Sequence, residues 1–307
     1  MTSPVPILIL GIQRSGTTYA ANLLAAHPEI AAVTDARHQG VHESVFFSHF
    51  ARMFGDWSVT ENRDAAVAEF LRSDYFVLCR ADAAETRAAM LLAPTAAEAF
   101  RRVMDAVATR AGAKAWLEKS PHHTLLADRI AADLPDAQFL CVTRETEDFI
   151  RSRLWSFGRV PPPYPRRAAL IAKACASNVL HGRYMAGLTR RLGPARVHHI
   201  RYDQLRRDAD VALDPLLCQI GLRPQAGRRP AFAPNSSFAN AAERHAALSR
   251  ADRVLIRMFD LAMRALPQPL LMMLQRRIAD TRPMAFPQWV RTPAIAGARD
   301  IEAGKGP

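Results

Sequence analysis

The sequence predicts an α/β fold in which a central parallel sheet lies between two layers of helices. Short apolar segments alternate along the chain with longer segments of helical periodicity. Two of the short segments, Ile7–Leu10 and Gln138–Thr143, are apolar over all or nearly all of their length, as strands buried in a parallel sheet are. Ligands of such folds bind at the carboxyl ends of the strands, so the residues after these segments are the first functional candidates.

Each element is predicted in chain order from its pattern. Strands are predicted at Ile7–Leu10, Ala31–Thr34, Gln138–Thr143 and Arg196–Ile200. Helices are predicted at Tyr19–Ala26, Ala65–Leu71, Ala96–Ala111, His123–Ala132, Glu147–Trp155, Arg167–Leu192, Val211–Gly221 and within Ser249–Ile278. We therefore expect a main domain over residues 1–240, with a helical insertion at about 49–110 in a usual place for an acceptor-binding lid. Residues 241–290 are expected to form a helical extension packed on it, and residues 291–307 a disordered tail.

The composition indicates a globular chain with a strong positive charge. Of its 307 residues 49% are hydrophobic, which is ample for a buried core, and the formal net charge is +12. Nearly all of that charge is arginine, and it suits a polyanionic nucleotide donor or an acidic acceptor. A nucleic acid is not expected as a partner, because the sequence lacks the basic helix, zinc spacing and aromatic-glycine motif of the common binding modules.

The cysteines predict neither a metal centre nor a disulfide framework. They are Cys79, Cys141, Cys175 and Cys218. Their wide spacing contains no C-x-x-C pair, so we expect no zinc and no disulfide framework.

No segment is predicted to cross a membrane. The first apolar run ends at Gly11 and is interpreted as a core strand, so a cytoplasmic protein is expected. The segment Leu266–Gln275 is too short to span a bilayer and is broken by prolines; packing in the core is favoured, with a membrane-surface contact as the alternative. Peripheral membrane contact is expected if the acceptor is a lipid, and the sequence predicts no oligomeric state.

The loop after the first strand has the features of a phosphate-binding site. Gly11 and Gly16 have the spacing of the pattern G-x-x-x-x-G-K-[ST], but Thr17 stands where that pattern has lysine. The positive charge lies instead at Arg14, within the loop. A strand, a glycine-bounded loop and a helix N-terminus bring backbone N–H groups together around an anion. The displaced charge argues against an ordinary ATPase and favours a different phosphate-bearing donor.

The loop resembles the 5′-phosphosulfate loop of sulfotransferases that use 3′-phosphoadenosine 5′-phosphosulfate (PAPS), commonly Gly-x-x-[Lys/Arg]-Ser/Thr-Gly-Thr-Thr/Ser. The residues Arg144, Asp148 and Ser152 are similar to that family's 3′-phosphate motif, with Thr146 where proline is usual. The resemblance extends over about residues 5–240 and implies a P-loop-like three-layer fold with PAPS as co-substrate. The implied donor-binding residues in these two motifs are Arg14, Ser15, Gly16, Thr17, Thr18, Arg144 and Ser152.

Three shorter elements extend the resemblance. The segment Trp116–Pro121 resembles the Glu-Lys-Ser/Thr-Pro segment of carbohydrate-type sulfotransferases, which implies that Lys119 neutralises charge developing on the leaving phosphate or the sulfuryl group. The sequence around Tyr202 resembles the family's Arg-Tyr-Glu-Asp-Leu element, so Tyr202 is expected to line the nucleotide pocket. The segment that contains Ser237 resembles a loop that closes over the donor.

The catalytic base has several candidates. Glu43 begins a stretch that looks like the Glu-x-x-Phe-Phe element of heparan-type enzymes, in which that glutamate acts as base. Asp35 falls, counted from Arg14, where tyrosylprotein-type enzymes place their catalytic glutamate. His42 and His38 are also near and titrate in a suitable range. Glu43 is favoured, and the alternatives stay open.

The expected activity is in-line transfer of a sulfuryl group to a hydroxyl of a carbohydrate, a glycolipid or another small metabolite, with no metal. A P-loop small-molecule kinase is the main alternative. It is disfavoured by the missing loop lysine and by Arg144, which follows a strand where nucleoside triphosphatases place an acidic magnesium ligand. A non-catalytic nucleotide-binding relative also remains, because the 3′-phosphate motif is altered at Thr146.

Overall fold

The computed structural model describes most of the chain. The described residues are 3–155, 160–225, 227, 229, 230 and 247–278. Ser237 and the predicted tail at 291–307 lie outside them.

Five parallel strands form the central sheet, in the order β2-β5-β1-β6-β7, and this confirms the predicted fold class. The strands of this sheet are β1 Val5–Leu10, β2 Ile30–Ala32, β5 Ala115–Lys119, β6 Gln138–Thr143 and β7 Val197–Arg201. A small antiparallel hairpin is formed by β3 Thr34–Asp35 and β4 Gly40–Val41. Because β1 lies between β5 and β6, the loop after β1 meets the ends of both neighbours.

Strand β5 was not predicted, and it is central to the site. Its end, Glu118-Lys119, is charged, so its pattern does not read as a buried strand. All five of its residues are nevertheless buried. The predicted second strand is also divided, because the sheet strand ends at Ala32 and the hairpin begins at Thr34.

The helices follow the predicted order. They are α1 Thr17–Ala25, α2 Ala51–Met53, α3 Thr60–Leu71, α4 Asp74–Cys79, α5 Ala83–Leu91, α6 Ala96–Arg110, α7 Ala127–Asp133, α8 Thr146–Trp155, α9 Arg166–Leu192, α10 Tyr202–Arg207, α11 Ala209–Gln219, α12 Arg250–Ala265 and α13 Gln268–Ile278. Short 3₁₀ turns occur at Ala36–His38 and Pro121–Leu126, and a π-helical turn at Phe46–Phe50. The helices α2, α4, α5 and α10 were not predicted, because segments this short carry little periodicity.

The core lies on both faces of the sheet, as the apolar strand pattern predicts. Successive side chains of a strand point to opposite faces. Accordingly Leu8 and Leu10 join the cluster beneath α3, α6 and α7, whereas Ile7 and Ile9 join the cluster beneath α1 and α11. A strand buried on both faces must be apolar throughout, which explains the unbroken run in the sequence.

The segment between β4 and β5 packs through aromatic rings. Phe46 lies 5.1 Å from Phe70 and 4.9 Å from Phe100, measured between ring centroids. These contacts anchor the π-helical turn against α3 and α6. The chain that enters this turn carries Glu43, so the packing of the segment sets the position of one predicted base.

The C-terminal helices α12 and α13 pack on the long helix α9. Ile256 of α12 is buried in a cluster with Cys175, and Leu271 of α13 is buried against Leu180. Leu270 and Met273 are exposed, so only part of the segment predicted to be core is buried. Within the described residues, no helix is both long and apolar enough to cross a membrane.

Candidate functional site

The phosphate loop has a backbone that only glycine suits at Gly16. Gly16 has φ 101°, and a Cβ placed there would lie 2.2 Å from Cδ2 of Tyr202. The ring of Tyr202 therefore lies directly against the loop backbone. At the other end of the loop, a Cβ on Gly11 would lie 2.6 Å from Oγ of Ser15. The two glycines allow close approach on both sides, as a phosphate-binding loop requires.

A buried threonine fixes the start of this loop. The Thr124 hydroxyl accepts a hydrogen bond from the Gly11 N–H at 2.9 Å and donates one to the Gly11 carbonyl at 2.9 Å. Thr124 lies in the 3₁₀ turn after β5, 113 residues further along the chain. Thr124 was not predicted from the sequence, because no local pattern marks so distant a contact.

Three separate elements meet at Arg14. Its Nε and Nη2 donate to Oγ of Ser152, in α8, at 3.3 and 3.1 Å. Nη1 of Arg144 donates to the Arg14 carbonyl at 3.2 Å. The Arg144 guanidinium also lies over the Tyr202 ring, 4.5 Å from its centroid. The structure therefore brings the predicted donor residues of the loop, the strand end, α8 and α10 into one site.

Two buried polar atoms of this site have no hydrogen-bond partner among the described residues: Oγ of Ser15 and Nε of Arg144. Arg144 also has no carboxylate in ion-pair contact within the described part of the chain. Burial lowers the pKa of Arg144, opposed by Tyr202 and Asp148, and the side chain remains cationic at neutral pH. A bound anion would accept hydrogen bonds from both the half-buried Arg144 guanidinium and the buried Ser15 hydroxyl.

Lys119 and Glu43 form an ion pair at the carboxyl end of β5. Nζ of Lys119 lies 2.7 Å from Oε1 of Glu43. The lysine side chain is 3% exposed and the glutamate 21%, so Glu43 alone of the two presents a surface to solvent. In the sheet, Lys119 is in register with Ile9, which places it beside the phosphate loop. The pair combines a cation and a proton acceptor next to the anion site.

The buried carboxylate of Glu118 holds this pair in place. It accepts hydrogen bonds from Ser44 at 2.7 Å, from Ser120, and from Nδ1 of His123 at 2.9 Å. Nε2 of His123 accepts from the Phe47 N–H, which leaves the ring proton on Nδ1. Burial would raise the pKa of Glu118, but His123 and the two hydroxyls outweigh it and hold the pKa below its usual value. Ser44 directly follows Glu43 and Ser120 directly follows Lys119, so Glu118 links the two segments that carry the ion pair.

The other base candidates lie in the β3–β4 hairpin or directly after it. Asp35 caps the 3₁₀ turn and accepts from Nε of Arg37 at 2.9 Å. That hydrogen bond is the main reason why the pKa of Asp35 is lowered. His42 is buried, and burial, reinforced by His38 and Lys119, lowers its pKa to about 3. Both groups are therefore engaged by neighbours rather than placed in an ion pair with Lys119.

His38, His42 and Asp74 bring three metal-ligating atoms within 4.8 Å of one another. The two imidazole rings are stacked, with centroids 3.6 Å apart and planes at 18°. A metal ion binds a histidine nitrogen in the plane of the imidazole ring, at about 2.0–2.1 Å for zinc. Because these two ring planes are stacked and nearly parallel, one ion cannot lie in both planes at that distance from a nitrogen of each ring. The Arg37 guanidinium also lies 3.4 Å from Asp74. The arrangement suits a hydrogen-bonded anchor between the hairpin and α4 better than a metal centre.

His122 is a further residue of the site that was not predicted from the sequence. Its Nε2 lies 3.0 Å from Nε2 of Gln13, which belongs to the phosphate loop. Burial lowers the pKa of His122, while the charge of Glu43 acts in the opposite direction. Its position directly after Lys119-Ser-Pro was the available signal.

Comparison with known proteins identifies the family. The family model described as "Sulfotransferase family" matches residues 6–225. The chain belongs to the sulfotransferase family. No curated protein matches the chain. Sulfuryl transfer is the chemistry of this family, and the matched region contains the phosphate loop, Glu43, Lys119 and Arg144.

Solved structures are similar to the chain at low identity. The sulfotransferase domain from the curacin biosynthetic pathway has a TM-score of 0.50 at 15% identity, covering 91% of this chain and 99% of that one. The sulfotransferase domain from the Synechococcus PCC 7002 olefin synthase has a TM-score of 0.47 at 17% identity, covering 94% and 98%. A sulfotransferase from Alicyclobacillus acidocaldarius has a TM-score of 0.49 at 16% identity, covering 89% of this chain and 97% of that one. The likeness to the curacin-pathway domain supports the sulfotransferase fold.

Proposed function

We propose that this sulfotransferase transfers the sulfuryl group of PAPS to a hydroxyl of a carbohydrate, a glycolipid or another small metabolite. The observation that carries the proposal is the convergence of Arg14, Arg144, Ser152 and Tyr202 on the phosphate loop. That convergence leaves Oγ of Ser15 and Nε of Arg144 without partners among the described residues.

The residues present fit a donor that carries two separate anionic groups. The loop from Ser15 to Thr18 opens α1, so its backbone N–H groups and Arg14 would hold the 5′-phosphosulfate. Arg144 and Ser152 would hold the 3′-phosphate, and Tyr202 would support Arg144 from beneath. A guanidinium and a hydroxyl bind a phosphate without a metal, which agrees with the proposed reaction.

Glu43 and Lys119 would act on the reacting atoms. When bound, PAPS supplies the sulfuryl group and leaves as the 3′,5′-bisphosphate. Glu43 accepts the proton of the acceptor hydroxyl, whose oxygen forms the new bond to sulfur. Lys119 stabilises the negative charge on the bridging oxygen as the old bond to sulfur breaks. Since the two side chains lie 2.7 Å apart, both would be close to the sulfuryl group while it passes from the donor oxygen to the acceptor oxygen.

The proposal is tested by calorimetric titration of the protein with 3′-phosphoadenosine 5′-phosphate, with AMP, and with ATP in the absence and presence of magnesium. We expect tight binding that requires the 3′-phosphate and is insensitive to magnesium. A preference for magnesium-ATP would reject the proposed donor and favour a kinase. Tight binding without turnover of any acceptor class would instead indicate a non-catalytic relative.

A further inference from the structure

Helix α12 has an apolar face that is largely exposed in the described part of the chain. Val254, Met258 and Leu261 are 56%, 60% and 72% exposed. Their spacing of four and three residues places them on one side of the helix. The opposite side, with Ile256 at 2% exposure, already packs on α9. A surface helix buries one apolar stripe and presents polar residues to water, so the second stripe requires an explanation.

Helix α13 also carries exposed apolar residues. The chain between α12 and α13 is only Leu266-Pro267, so the two helices adjoin. Leu270 and Met273 of α13 are each 43% exposed, while Leu271 is buried. Both helices are held on α9 by a buried side and carry exposed apolar residues in the described part of the chain.

Arginines border this face, and they outnumber the carboxylates that contact them among the described residues. Arg250, Arg253, Arg257 and Arg264 follow one another at intervals of three, four and seven, so they share the side next to the apolar stripe. Glu147 of α8 lies 3.8 Å from Arg253 and 3.9 Å from Arg257, so one carboxylate is shared by two guanidinium groups that are 51% and 79% exposed. Asp252 is buried beneath Tyr164 and Arg167, and Asp260 is bonded to Arg264.

We propose that α12, extended by α13, docks the protein on the surface of an anionic phospholipid bilayer. An apolar stripe bordered by arginines is the pattern of a helix that lies in the plane of a membrane interface. The arginines complement acidic lipid headgroups, and the stripe enters the acyl boundary. The docking does not depend on the proposed donor or acceptor.

Docking through α12 would place the candidate site close to the bilayer. Thr146, at the start of α8, donates a hydrogen bond to Asp260 of α12 at 3.4 Å. Ile12 of the phosphate loop shares an apolar cluster with Ile256. Since Ile256 lies on the side of α12 opposite the exposed stripe, α12 would separate the phosphate loop from the bilayer by about one helix diameter, ~10 Å.

The first experiment is co-sedimentation of the full chain with vesicles, in the absence of any donor or acceptor. Vesicles of phosphatidylcholine with phosphatidylglycerol should bind the protein, and vesicles of phosphatidylcholine alone should bind it at least tenfold more weakly. Binding to the anionic vesicles should weaken as salt is raised. Equal binding to both vesicle types, or to neither, would overturn the proposal.

A triple variant tests the apolar face. Val254→Gln, Met258→Gln and Leu261→Gln together should weaken vesicle binding by about tenfold or more. The matched control makes the same change at exposed apolar positions elsewhere: Val59, Leu92 and Val211. A native circular dichroism spectrum shows that each variant is folded. Equal vesicle binding by the two triple variants would contradict the assignment.

A variant that lacks two arginines tests the role of charge, and the molecular mass of the protein in solution tests for a dimer. Arg253→Gln with Arg257→Gln should weaken binding by about 25-fold and reduce its salt dependence, since each arginine near an anionic surface contributes about a fivefold factor. Arg72→Gln with Arg207→Gln, which are exposed elsewhere, should change little. A dimer that dissociates in the α12 triple variant would assign the face to a second copy of the chain and reject membrane docking.

Discussion

At the residue scale, the two arginines of the donor site differ in how the protein holds them. Arg14 donates to the hydroxyl of Ser152, whereas Arg144 reaches the Arg14 carbonyl through one nitrogen and retains a buried Nε without a partner among the described residues. A guanidinium held ready in this way loses little side-chain entropy when an anion arrives. We therefore expect Arg144 to contribute strongly to donor affinity.

Arg144→Ala should raise the dissociation constant of 3′-phosphoadenosine 5′-phosphate by about 10- to 100-fold, because a charge-assisted hydrogen bond to phosphate is lost. AMP, which lacks the 3′-phosphate, should lose much less. Arg151→Ala is the control, since Arg151 pairs with Asp148 on α8. Calorimetry measures both variants, and an equal loss for AMP would contradict the role assigned to Arg144.

Glu43→Gln should lower the turnover rate by about 100-fold or more while the affinity for 3′-phosphoadenosine 5′-phosphate changes by less than about threefold. The reason is that Glu43 takes a proton in the reaction and has no assigned contact with the nucleotide. Single-turnover rates and calorimetry on the same preparations separate the two effects. Asp35→Asn should retain turnover, because Asp35 is held by Arg37. Full turnover in Glu43→Gln and its loss in Asp35→Asn would move the base to Asp35.

At the scale of elements, the phosphate loop depends on contacts made by parts of the chain far away in sequence. Tyr202, at the start of α10, lies against the Gly16 backbone, and Thr124 brackets Gly11. Both contacts follow from the strand order, because β5 and β6 flank β1 and β7 follows β6. The loop is therefore shaped by its neighbours in the sheet as well as by its own glycines.

Gly16→Ala should destabilise the protein by about 1–3 kcal/mol and abolish tight donor binding, because the residue has φ 101° and its Cβ would lie 2.2 Å from Tyr202. Gly112→Ala is a matched control: its φ is 64°, and no atom lies within 4 Å of its Cβ. Urea unfolding compares the two variants. Adding Tyr202→Ala to Gly16→Ala should remove the steric part of the loss. Equal destabilisation by the two glycine variants would show that the Tyr202 contact has no effect.

At the scale of the whole molecule, buried histidines make stability depend on pH. Burial, assisted by nearby positive charges, lowers the pKa of His42 to about 3 and that of His49 to about 4, from the usual 6.5. Above pH 6.5 neither the folded nor the unfolded chain protonates them, so they have no effect. Below it the unfolded chain takes up protons that the folded chain refuses, and stability falls.

The free energy of unfolding should therefore decrease between pH 6.5 and about pH 4, by up to about 1.4 kcal/mol per pH unit for each such histidine. His42→Phe keeps a ring between His38 and Tyr75 and should reduce this slope by the contribution of one group. Urea unfolding at half-unit pH intervals measures the slopes. If the variant has the same slope as the parent protein, His42 takes up no proton when the chain unfolds in this pH range, and its pKa is not lowered by folding.

Much of the fold could be predicted because its signals are local. The apolar runs of β1 and β6 and the long periodicity of α6 and α9 are each contained in one continuous segment. Strand β5 could not be predicted, because the charged Glu118 and Lys119 interrupt its pattern. Their burial is made possible only by partners from other segments, Ser44 and His123 for the first and Glu43 for the second.

By itself, the sequence determined the strand–loop–helix at Gly11–Thr18, the order of the motifs and the parallel α/β class, since these depend on residues close together in the chain. Only the tertiary structure decided that Lys119 pairs with Glu43, 76 residues away in the chain. It also decided that Thr124 forms hydrogen bonds with Gly11, 113 residues away, and that Asp35 is held by Arg37. The physical reason is that sheet order and side-chain burial set which distant charges meet, and no local pattern of residues contains that order.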